Sequence, residues 1–95
     1  MLRLRPEARS DLHQAMAWCE ERESGLGAMF LAEADATLER IGAHPNRYAN
    51  VHGPFRRALM RRFPYAIYFT TEERLVIIFA VLHQRQDRGA IGQRG

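Results

Sequence analysis

The chain has no lysine, so every one of its 14 fixed side-chain cations is an arginine. No Schiff base, amine nucleophile or lysine general base is therefore available to it. A single cysteine, Cys19, cannot close a disulfide within the chain. No apolar run approaches the ~20 residues that a bilayer requires. The opening Met1-Leu2-Arg3-Leu4-Arg5-Pro6 lacks the apolar core of a secretory signal, and the expectation is a cytoplasmic protein with no membrane segment. His13, His44 and His52 stand at no ligand spacing with Cys19, so no metal site is expected. Phosphate-binding glycine loops and nucleophile elbows are absent too, and no cofactor is expected. Internal repeats and low-complexity tracts are also missing. Ninety-five residues fit one domain over 1–95, with a modest core that a bound partner can reinforce.

What is present is unevenly distributed. Residues 1–40 carry five arginines against eight carboxylates, and residues 41–95 carry nine against three, giving nets of −3 and +6. The second half is the basic half. Such a face attracts nucleic acid or an acidic protein segment, and charge alone does not separate the two. A coding bias toward arginine accounts for the missing lysine more simply than selection for bidentate phosphate contacts.

Leu2 to Arg5 reads as a short strand. Ala8, Leu12, Ala15, Met16 and Cys19 recur at helical spacing, and Pro6 and Glu7 suit a first turn, which predicts an amphipathic helix from about Pro6 to Arg22. Ser24-Gly25-Leu26-Gly27 breaks it. A second helix follows from about Leu26 to Ala43, with Phe30, Ala34, Leu38 and Ile41 on one face, and so short a break predicts an antiparallel hairpin. Residues 44–54 are rich in breakers and read as a loop. Beyond them the period becomes two: Arg57, Leu59, Arg61 and Phe63 alternate with Arg56, Ala58, Met60 and Arg62. Phe63-Pro64-Tyr65 predicts a reversal, residues 66–69 a strand and residues 70–74 a hairpin turn. Residues 75–82 are apolar on both faces, the mark of a central strand covered on both sides or of one that a partner covers. The tail, residues 88–95, reads as loose. The expected fold class is α+β, a strand followed by a helical hairpin packed on a small antiparallel sheet in the order β-α-α-β-β-β.

Several side chains can carry chemistry. Arg57 and Arg61 fall on one side of the first meander strand, and Arg56 and Arg62 on the other. They serve equally well as phosphate or partner contacts and as charges guarding an edge strand against aggregation. His83 ends the apolar strand with Arg85 on the same face by alternation. It is either a general acid or base or a hydrogen-bonded structural residue, and Asp87 either orients it or caps a turn. Tyr65 and Tyr68 lie on opposite faces, one toward the core and one toward the surface. Trp18 stands at the boundary of the first helical stripe, as core or as a partner contact.

The chain resembles the toxins of the RelE/ParE superfamily, small plasmid-stabilisation proteins of bacterial type II toxin–antitoxin systems. The resemblance rests on Arg5-Pro6-Glu7-Ala8-Arg9-Ser10-Asp11-Leu12, on Pro45 after the second helix, on the stretch from Arg56-Arg57-Ala58-Leu59-Met60-Arg61-Arg62 through Phe63-Pro64-Tyr65-Ala66-Ile67-Tyr68-Phe69, and on Val81-Leu82-His83-Gln84-Arg85-Gln86-Asp87. The ending departs from the family pattern: Arg88 and Ile91 stand where proline and an aromatic are usual. The superfamily implies two mechanisms. RelE-type members are ribosome-dependent mRNA endonucleases, and their chemistry would fall here on His83, Arg85 and Arg61. ParE-type members inhibit DNA gyrase without that catalytic set.

Cleavage by a 2′-hydroxyl needs a base, a cation and an acid. With no lysine and no tyrosine after Tyr68, the ParE-type reading is favoured, with Arg57, Arg61, Arg62, His83 and Arg85 as contacts to gyrase or its DNA. The resemblance also implies a cognate, ParD-like antitoxin that fills an apolar groove, with Leu12, Met16, Trp18 and Tyr68 as its candidate contacts. A non-toxic binding module of the same fold is the third reading.

Overall fold

A computed structural model describes residues 1–85. Leu2–Leu4 forms strand β1 and Pro6–Arg22 forms helix α1. Pro6 opens α1 where a missing N–H costs nothing, Glu7 meets the positive end of its dipole and Arg22 the negative end. Its buried residues, Ala8, Leu12, Ala15 and Cys19, are the apolar stripe of the sequence, with Met16 half-buried beside them. Helix α2, Leu26–Ala43, turns Phe30, Ala34 and Ile41 inward. Gly25 makes the turn between the helices at φ 90°. Gly27 lets them close: a Cβ there would stand 2.9 Å from the Met16 carbonyl oxygen.

Strands β2 (Asn50–His52), β3 (Phe55–Leu59), β4 (Tyr65–Glu72) and β5 (Leu75–His83) complete a five-stranded sheet ordered β1-β5-β4-β3-β2. The meander β3-β4-β5 is antiparallel, as the period-two pattern predicts. Strand β1 joins β5 in parallel, which makes the sheet mixed. A central strand that is apolar on both faces needs hydrogen-bonded neighbours on both edges, and β1 supplies the second one. The segment read as a loop holds a 3-10 turn at Pro45–Arg47 and the short strand β2, which pairs with β3 across Gly53 at φ 54°. Strand β3 stops at Leu59, earlier than the alternation suggests. Pro64 has no N–H to extend the pairing, so the Met60 N–H, donating to the Tyr65 carbonyl at 2.9 Å, closes the reversal. Arg61 and Arg62 therefore sit in the turn rather than on a strand.

The helices cover one face of the sheet and bury Ile67, Phe69, Val76, Ile78 and Val81. The other face carries a second apolar cluster of Phe55, Ala66, Tyr68, Ala80 and Leu82. Between them β5 breaks its alternation. Tyr68 pairs with Ala80 and Phe69 with Ile78, so Phe79 is an extra, bulged residue. It lies edge-on to Phe55, with ring centroids 5.0 Å apart, and under the Arg5 guanidinium at 5.0 Å. Beyond the bulge the faces are exchanged: Val81 looks toward the helices, where an unbroken strand would have placed Ala80. Among the described residues no helix is long and apolar enough to cross a membrane.

Candidate functional site

The β3–β4 turn and the exit of β5 meet at one end of the sheet. The Gln84 N–H donates to the Pro64 carbonyl at 2.8 Å, and His83 stands directly across from Tyr65 with their rings edge to face at 5.2 Å. Arg61, Arg62 and Arg85 are all exposed here and form a cationic rim on two short turns. Main-chain donors hold the two turns of the rim in place. The Arg85 N–H donates to His83 Nδ1 at 3.0 Å, which fixes the ring and the start of the exit turn together. Tyr65 is packed on Phe30 at 5.0 Å, and burial pushes its phenol above the ordinary tyrosine value, with the charge of Cys19 adding to the shift. A phenol so raised is a poorer acid than a free tyrosine, and it is no base near neutral pH. The arrangement is suited to holding an anion by fixed charge.

The sequence-derived set is only partly brought together. Arg57 lies on the far face of β3, half-buried and paired across to Tyr68. His83 is on the helix side, because the bulge at Phe79 has reversed the alternation. Arg56, Arg57's neighbour, is tied down by donating from Nη1 to the Tyr48 carbonyl at 2.6 Å. Asp87 and the tail at 88–95 lie outside the described residues. Among the described residues no group of three or more His, Cys, Asp or Glu comes together as a metal site.

A second surface lies along α1. Trp18 is 49% exposed, with the Arg22 guanidinium over its ring at 4.5 Å. With Asp11, Gln14, Ala15, Tyr65 and Val81 it lines a cleft of about 220 Å3 between α1 and β5. β1 pairs with β5 only as far as Ile78, so the outward N–H of Val81 finds its acceptor in Asp11 Oδ2 at 3.0 Å. Met16 opens on a shallow groove of about 440 Å3 where α1 meets α2, beside Ala17, Gly27, Ala28 and Leu31. Leu12 is buried beneath α1 and Tyr68 in the cluster on the opposite face of the sheet, so neither presents its side chain on these surfaces.

The family model for the ParE toxin of type II toxin-antitoxin system, parDE, matches residues 2–88. The chain belongs to the ParE toxin family. That match takes in both the arginine rim and the Trp18 face of α1. Among solved structures this ParE-family chain is similar to the chromosomal ParDE TA system from P. aeruginosa, with a TM-score of 0.67 and 15% identity over 86% of this chain and 92% of that one. At that identity the likeness is one of fold. A search of curated proteins finds no match.

Three contributors to these surfaces were not read from the sequence. Tyr65 beside His83 depends on the bulge, since a straight hairpin through Glu72 and Leu75 would have set Tyr65 against Leu82. Asp11 on Val81 joins residues 70 positions apart, and no local pattern signals it. Glu20, whose carboxylate accepts from the N–H of Gly25 and Gly27 at 3.0–3.1 Å, did have a signal: an acid shortly before Gly-Leu-Gly at a helix start.

Proposed function

We propose that this chain is the toxin of a cytoplasmic two-component module, that it inhibits DNA gyrase through the arginine rim at the sheet end, and that a ParD-like antitoxin neutralises it. The observation carrying the target reading is the rim itself: three exposed guanidiniums, Arg61, Arg62 and Arg85, on turns fixed by Gln84 to Pro64 and Arg85 to His83. Fixed cations of this kind hold phosphate or carboxylate bidentately. Burial raises the Tyr65 phenol beside His83, which makes it a weaker acid and favours inhibition over RNA cleavage. Membership of the ParE toxin family supports the same reading.

The antitoxin is expected to be acidic and disordered alone, to fold on binding, and to cover Trp18, Met16 and the cleft above Val81. Addition of the product of the neighbouring reading frame then raises the melting temperature, and Trp18→Ala reduces the rise. An unmoved melting temperature counts against that partner. For the target, supercoiling by purified gyrase is expected to stop with cleaved DNA accumulating, while mRNA on translating ribosomes stays whole. Codon-specific cuts in ribosomal A-site mRNA that disappear in His83→Ala would reverse the reading to a RelE-type ribonuclease.

A further inference from the structure

Glu33 lies one turn beyond Phe30 on α2, so the two share a face of the helix. Phe30 is packed by Phe63 of the β3–β4 turn, with ring centroids 5.2 Å apart and the planes nearly perpendicular. The residue before Phe63 is Arg62, and it lines a cavity of about 170 Å3 together with Glu33, Met29, Ala32 and Phe63. Glu33 Oε1 is shielded from solvent and has no hydrogen-bond partner among the described residues. A carboxylate oxygen so placed is costly, and native proteins rarely leave one unanswered.

Arg40, on the same helix, is already engaged: its Nη2 donates to Thr37 Oγ1 at 3.0 Å, and that hydroxyl donates to the Glu33 main-chain carbonyl at 2.9 Å. Among the described residues Arg62 is the one cation lining the cavity. Its backbone is left-handed at φ 69°, a conformation that a non-glycine residue keeps only where its surroundings hold it.

We propose that Glu33 is a positioning residue for the β3–β4 turn: the Arg62 guanidinium swings into the cavity and closes a charge-assisted hydrogen bond on Glu33 Oε1, fixing the turn that presents Arg61. The space is ample, since a single water needs only about 10–15 Å3 of such volume. The contact stands on geometry alone, and its effect on inhibition rests on the gyrase-directed reading of the rim.

The test is a double-mutant cycle in the full chain, with Glu33→Gln, Arg62→Asn and both together, unfolded in urea at low and at high salt. Asn tolerates the left-handed backbone, so Arg62→Asn removes the charge without adding strain. The expected result is a coupling of about threefold or more in the folding equilibrium at low salt, shrinking at high salt. In the supercoiling assay Glu33→Gln is expected to weaken inhibition several-fold. Additive effects, or a coupling indifferent to salt, would overturn the proposal and leave the Glu33 oxygen to a cavity water. If the unmodified chain leaves gyrase untouched, the target reading fails on its own, while the cycle, measured without gyrase, still decides the contact.

Discussion

At Glu20 a carboxylate on α1 does for α2 what the latter's own N-cap, Gly25, has no side chain to do. Both oxygens accept from the Gly25 N–H and one also from Gly27, and these bonds hold the Glu20 pKa below the ordinary glutamate value. With the folded-state value depressed, the stabilisation is complete above the ordinary value and is lost as the pH falls through the folded one. The melting temperature of Glu20→Gln is therefore expected below that of the parent at neutral pH, with the two curves converging in acid. Gly27 is the other residue on which the hairpin depends. A methyl group there meets backbone at 2.9 Å, so Gly27→Ala is expected to cost about 1–3 kcal/mol in urea unfolding. Gly25→Ala meets nothing within 4 Å and is expected to cost about 1–2 kcal/mol through its positive φ alone.

Among the elements, β5 is the one that every other part of the fold leans on. It is flanked by β4 along its length and by β1 only at its start, and past that point Asp11 takes the place of a neighbouring strand. Asp11→Ala leaves the Val81 N–H without its acceptor and is expected to destabilise by about 1–3 kcal/mol, whereas Asp11→Asn keeps an acceptor and costs less. Helix α2 meets the sheet end through Phe30, fully buried against Phe63 and Tyr65. Phe30→Ala is expected to cost about 3–5 kcal/mol, a large share of what a domain of this size has. A loss that is small by urea titration would mean that the β3–β4 turn is held by something other than α2.

For the molecule as a whole, the charge asymmetry of the chain becomes a spatial one. The rim at the sheet end is basic, and the outer side of the helical hairpin carries much of the acid, including Glu20, Glu21 and Asp35. If the rim is the working surface, a folded Arg61→Glu, Arg85→Glu double variant loses growth arrest while its melting temperature stays close to that of the parent, because exposed charges contribute little to stability. Growth arrest retained in the folded variant would take the rim out of the site.

The sequence alone determined a great deal: both helices, the apolar stripes, the three-strand meander, the central place of residues 75–82 and the family. The elements follow from periodicity, breakers and composition, which act over a few residues at a time and survive in any context; the family follows from the resemblance of the motifs at residues 5–12, 56–69 and 81–87. What the tertiary structure alone decided is where those elements aim their polar groups. Nothing in Leu75-Val76-Ile77-Ile78-Phe79-Ala80-Val81-Leu82 announces a bulge, because every residue there is apolar and either register hides it. Yet that one extra residue carried His83 to the helix side beside Tyr65 and away from Arg57. The parallel pairing of β1, the Asp11 bond to Val81 and the cavity shared by Glu33 and Arg62 are likewise contacts between distant segments. They are set by how the hairpin docks on the sheet, and a local pattern carries no record of that docking.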